Sequence, residues 1–163
     1  MPIKDPHGKQ LREHVVYLLN GGGAHVRFDD VVKNMPEELR GVKPTGFPHS
    51  AWMLVEHLRM AQWDILEFCR NSKHRSPEWP KGYWPQSETP PSTAAWNKGI
   101  QQFRKDLKLM QDLVANPKTD LYARIPWGDG QTILREALLV ADHNAYHLGQ
   151  LLDVRRLLGA WKE

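Results

Sequence analysis

Five prolines crowd into the stretch from Asn71 to Pro91, at positions 77, 80, 85, 90 and 91. Proline fixes φ and removes a backbone donor, so neither a helix nor a central strand survives there. The segments on either side carry apolar residues at helical spacing. A chain punctuated in this way completes one long helix, crosses over in irregular structure and then begins another. Irregular connections of such length in a compact domain are usually functional or packed by their own side chains, and Trp79, Tyr83 and Trp84 supply rings for that purpose.

Four long segments show the helical period. The first, about Gln10 to Asn20, puts Leu11, Val15, Leu18 and Leu19 on one stripe and is stopped by Gly21-Gly22-Gly23. A short helical piece is predicted from Phe28 to Asn34, with Asp29 and Asp30 suited to an N-terminal turn. The second long helix runs from about Ser50 to Arg70, with Leu54, Leu58, Ala61, Ile65 and Phe68 as its apolar positions. Ser92 or Thr93 caps a third, which reaches Ala115 and carries Trp96, Ile100, Phe103, Leu107, Met110 and Leu113 or Val114. Leu121 to Trp127 reads as an extended connector, and a last helix runs from Thr132 to about Leu158 with Gly159 as its C-terminal cap. The expected fold is all-α: a four-helix bundle with one long crossover between the second and third helices, in a single domain covering residues 1–163.

Composition narrows the function classes. No run approaches the roughly 18 to 20 apolar residues of a membrane span, and Met1–Pro6 has no signal-peptide core, so a cytoplasmic protein without a membrane partner is expected. The net charge of +3 is small, and its basic groups Lys105/Lys108 and Arg155/Arg156 alternate with Asp106 and Asp153 as solvated helix faces do; no nucleic-acid partner is expected. The single cysteine, Cys69, lies in an apolar helical run and reads as packing rather than as a nucleophile.

Chemistry concentrates in Asp142-His143-Asn144-Ala145-Tyr146-His147 of the last helix. Residues four apart lie one above the other, so both imidazoles can reach one ion. Position 144 is Asn, which removes the glutamate that a HExxH protease needs. The pair alone could equally be a solvated face or hydrogen-bonded core. Its neighbours Leu139, Val140, Leu148, Leu151 and Leu152 place it partly inside the bundle, where histidines need partners. A third ligand should come from another helix, and His57, in register with Leu54, Ala61 and Asp64, faces inward if they do. His14 is opposite its helix's apolar stripe, His49 and His74 flank prolines or basic residues, and His25, after the glycine run, is a candidate rim residue.

These segments resemble the DinB-like superfamily of bacterial metalloproteins, which includes the YfiT type. The resemblance rests on Val55–Leu66 in the second helix, Gly128-Asp129-Gly130-Gln131-Thr132 before the last, and Ala141–Gln150 within it. The family pattern, one histidine on the second helix and an HxxxH pair on the fourth, maps onto His57, His143 and His147. It implies a three-histidine site open to water or substrate, frequent homodimerisation, and a divalent metal ion: zinc or nickel first, iron or manganese next. Some relatives are metal-dependent transferases or isomerases acting on low-molecular-weight thiols.

Three imidazoles with an open position describe a catalytic site rather than a structural one, since structural zinc is normally closed by four protein ligands. The first expectation is therefore a metal-dependent thiol transferase or hydrolase with a small-molecule substrate. The second is a non-catalytic metal- or ligand-binding module of stress physiology, and the third a bundle whose histidines are hydrogen-bonded core groups. Asp64, Asp142 and Gln150 are candidates for fixing an imidazole tautomer, each also readable as a solvated or bundle-packing group. Trp79, Trp84 and Trp127 lie in loops and can line a pocket above the site.

Overall fold

The computed structural model describes residues 8–162. The expectation about a leader at Met1–Pro6 lies outside them. In chain order the elements are α1 (Gly8–Asn20), α2 (Phe28–Val32), α3 (Ala51–Arg70), α4 (Thr93–Ala115) and α5 (Ile133–Leu157), with 3-10 turns at Glu37–Leu39 and Lys81–Tyr83. There is no strand among the described residues, only a single antiparallel bridge between Arg124 and Thr132 where the extended connector was expected. The fold is an all-α helical bundle in which α3 packs against α4 and α5, and α1 against the same two helices.

Local chemistry sets the helix ends. The hydroxyl of Ser50 accepts from Met53 N at 3.2 Å, that of Ser92 from Ala95 N at 3.1 Å, and that of Thr132 from Arg135 N at 3.2 Å. Each satisfies a donor that the first helical turn leaves open. At the other end of α5, Gly159 takes φ +67° while Ala160 N bonds Arg155 O, a left-handed stop that glycine adopts without steric cost.

The core has two apolar regions. Phe28, Trp52, Leu58, Trp96 and Phe103 belong to one, while Val15, Leu66, Met110, Val114 and Val140 belong to the other. Between them Gln62, 1% exposed, donates to Phe103 O at 2.8 Å and accepts from the Asn144 amide at 2.8 Å. A buried amide with both ends paired costs little, and this one ties α3 to both of its neighbours.

Two leucines depart from expectation. Leu18 is 50% exposed because the core-facing row of α1 is Leu11, Val15 and Leu19, strictly four apart, which turns position 18 aside. Leu139 is exposed because α5 buries Ala137, Val140 and Ala141, and a helix that is apolar nearly all round does not announce which face is inside. Cys69 is buried, and burial pushes its thiol up to about 12, so it is inert packing.

Arg155 is the larger correction. It is not part of a solvated face: it is 5% exposed and donates to Val31 O at 2.6 Å, Lys33 O at 2.7 Å and Ala160 O at 2.6 Å. One guanidinium thus closes the end of α2 and the chain after α5, and it also lies over the Trp161 ring. Arg155→Met strands those three carbonyls, so urea denaturation should show a loss of about 3 kcal/mol, at about 1 kcal/mol for each. A loss below about 0.5 kcal/mol, the range of ordinary surface changes, would mean that the fold does not depend on this anchor.

Candidate metal centre

His57 projects from α3, and His143 and His147 project from α5 one turn apart, so the α3–α5 packing brings three imidazoles together. His57 Nε2 lies 3.1 Å from His147 Nε2 and 3.0 Å from His143 Nε2. His57 is 3% exposed and the other two are half-buried. Among the described residues these three alone form a group of histidine, cysteine or acidic side chains able to hold a metal ion; no carboxylate joins them.

The far side of two rings fixes the tautomer. Tyr83 O lies 2.7 Å from His57 Nδ1, and Gln150 Oε1 lies 2.7 Å from His147 Nδ1. Both oxygens can only accept, so each Nδ1 carries the proton and donates it. The Nε2 atoms of His57 and His147 then present lone pairs to each other at 3.1 Å with no proton between them, and the Nδ1 of His143 is buried without a partner. Protonation is a poor remedy: burial foremost, and then the neighbouring imidazoles, pulls His143 down to about 3, and burial pulls His57 down to about 4. A cation at the centre resolves the conflict. Ligands at about 2.0 to 2.1 Å and bond angles between octahedral and tetrahedral stand roughly 2.8 to 3.4 Å apart, which the two separations from His57 match. The residues present therefore fit a divalent ion.

A sequence model of the DinB superfamily matches residues 23–151, most of the chain and every residue of the cluster. The protein belongs to the DinB superfamily. No curated protein and no solved structure matches it.

In this DinB-superfamily chain the crossover between α3 and α4 serves the histidines directly. Asp64 makes no contact with them; its two oxygens bond His74 Nε2 at 2.7 Å and the Tyr83 hydroxyl at 2.7 Å. That pair of bonds latches the crossover to α3, and burial together with the Asp64 bond pushes the Tyr83 phenol up to about 12, keeping it a donor. With Tyr83 held, its carbonyl reaches His57, and the next residue, Trp84, stacks on the His57 ring at 4.0 Å and 4°. The other face of Trp84 carries His49 at 4.2 Å. Burial, then the charge of His147, lowers the His49 pKa.

Of the residues singled out from sequence, the structure brings together His57, His143, His147 and Gln150, with Asp64 acting at one remove. His25 is exposed and bonds Val26 O at 2.8 Å. Asp142 is exposed and outside the cluster. Trp127 donates its indole N–H to Phe68 O at 2.7 Å, near the C-terminal end of α3 and eleven positions along from His57. Trp79 is 73% exposed and meets only the Tyr83 ring among the aromatic contacts. His49, His74 and Tyr83 were not selected as site residues. Proline neighbours argued against His49, which lies just before the start of α3 and stacks on Trp84, and Tyr83 acts through a backbone carbonyl that no side-chain pattern reports.

The tautomers are directly measurable. Long-range proton–nitrogen correlation spectra of metal-free protein should show His57 and His147 protonated at Nδ1. Protonation at Nε2 in either ring would contradict the orientation assigned to the cluster.

Proposed function

We propose that this protein binds one divalent metal ion through the Nε2 atoms of His57, His143 and His147, and that it is a metal-dependent thiol transferase or hydrolase acting on a small molecule. The observation that carries this reading is the meeting of three Nε2 atoms whose opposite nitrogens, in two of the rings, are already committed to Tyr83 O and Gln150 Oε1. Three protein ligands leave further coordination positions for substrate or water. A bound divalent ion would supply Lewis acidity, favouring the deprotonated form of a thiol or of water. The chain's own part is orientation: Tyr83 and Gln150 hold two imidazoles, and Trp84 covers the face of His57.

Zinc or nickel suits three neutral imidazoles best, with iron or manganese as further occupants. We take the chain to be one cytoplasmic domain that works as a homodimer, without a nucleic-acid or membrane partner; no helix among the described residues is long and apolar enough to cross a membrane. One alternative is a non-catalytic metal- or ligand-binding module, favoured by the fact that among the described residues no carboxylate joins the three histidines to act as a general base.

Elemental analysis of untagged protein, run for the wild type and His143→Ala, tests the reading. About one divalent ion per chain is expected in the wild type, with loss of it in a mutant whose circular dichroism shows an intact bundle. No metal in either protein, and none taken up from zinc, nickel or manganese, would overturn the metal site. A loaded protein inert toward a panel of low-molecular-weight thiols and ester substrates would select the non-catalytic module.

A further inference from the structure

A second cavity lies on another side of α3. His57 faces α5, whereas Trp52, Glu56, Arg59 and Trp63 of α3 line an open cavity of about 650 Å³ whose opposite wall is α4. None of the three clustered histidines borders it. Its size is within the range of small-molecule sites.

The floor is preorganised. The Arg59 guanidinium donates through Nε to Glu56 Oε1 at 2.8 Å and through Nη2 to Oε2 at 2.6 Å, a two-pronged pair that orients both groups. Gly99, in the interior of α4, makes room for that carboxylate: a Cβ there would lie 2.7 Å from Glu56 Oε1. Glycine is disfavoured inside a helix, and here it permits α3 and α4 to approach with a charged pair between them.

The walls are aromatic and held from behind. Trp52 is 6% exposed and packs against Trp96 at 6.5 Å. Trp63 meets the His74 ring edge-on at 5.0 Å, and His74 is itself bonded to Asp64. Two fixed indoles present flat apolar surface at little entropic cost.

The charge is unbalanced. Glu56 and Arg59 answer each other, while Lys98, exposed on the rim, makes no ion pair or hydrogen bond among the described residues. The lining therefore carries two cations against one carboxylate. Asp106, which interacts with Arg59, is buried and does not border the cavity, so the excess remains on the lining itself.

We propose that this cavity is a binding site for a small organic monoanion, a carboxylate or sulfonate with a flat apolar body, which lies between Trp52 and Trp63 and pairs its charge with Lys98. The site is separate from the histidine cluster and stands whether or not a metal binds there.

Fluorescence titration of the full chain with 1-anilinonaphthalene-8-sulfonate tests the site, alongside N-phenyl-1-naphthylamine, which has the same aromatic body and no charge. One anionic probe per chain is expected, bound more tightly than the neutral one. Lys98→Gln, a change at an exposed position, should raise the dissociation constant at least fivefold, and Ala95→Phe, which puts a ring into the cavity, should abolish binding. Near-UV circular dichroism reports whether each variant is folded; should Ala95→Phe not fold, the Lys98→Gln comparison decides. Absence of binding, equal affinity for the neutral probe, or anionic binding unchanged in folded Lys98→Gln overturns the proposal.

Discussion

Tyr83 O accepts from His57 Nδ1 at 2.7 Å, and the site and the crossover are both built around that bond. A proton held on Nδ1 leaves Nε2 as a lone pair, so the bond decides which nitrogen the α3 ring offers to the two rings of α5. The same bond pins an irregular segment that has little helical or sheet hydrogen bonding of its own. Asp64 secures it from below, since its carboxylate gathers the Tyr83 hydroxyl and the His74 ring at 2.7 Å each. Carboxylate, phenol, carbonyl and imidazole form one chain of contacts from α3 out into the crossover and back to α3.

The bundle around this chain is stiffened by buried polar groups bonded across elements. Gln62 joins α3 to Phe103 O of α4 and to Asn144 of α5, the neighbour of His143. The α3–α5 register that aligns the histidines is thus specified by an amide as well as by apolar contact. Apolar packing favours burial without direction, whereas an amide with a fixed donor and acceptor accepts only one register. Arg155 has a comparable effect at the end of α5, where its donors hold the carbonyls of Val31, Lys33 and Ala160.

The two faces of α3 carry different chemistry. Toward α5 it offers one buried neutral imidazole, and burial together with like neighbours keeps that ring uncharged. Toward α4 it offers the Glu56–Arg59 pair between indoles, a charged surface held in place by mutual bonding. One helix can serve both because 3.6 residues per turn separates positions 56 and 57 by about 100°. The crossover borders both sides, through Tyr83 and Trp84 at the histidines and through Pro77 and Gly82 at the cavity.

Much of this was legible in the chain itself. Helical periodicity, glycine and proline breaks, and Ser50, Ser92 and Thr132 as caps determine where the helices form, because those effects act within a few residues. The spacing of His143 and His147 likewise determines that they share a helix face, and the inward register of His57 made it the natural third partner. What the sequence could not rank were contacts set by the docking of distant segments. Gln150 reaches His147 three residues away and could be proposed, but the service of Tyr83 is a backbone carbonyl, and His49 acts through a stack on Trp84. Arg155 looks like a surface cation until α2 and the chain end fold over it. Local composition determined the helices and the imidazoles they carry; only the tertiary structure decided which polar groups orient them, because hydrogen-bond partners far apart in sequence meet only once the helices have packed.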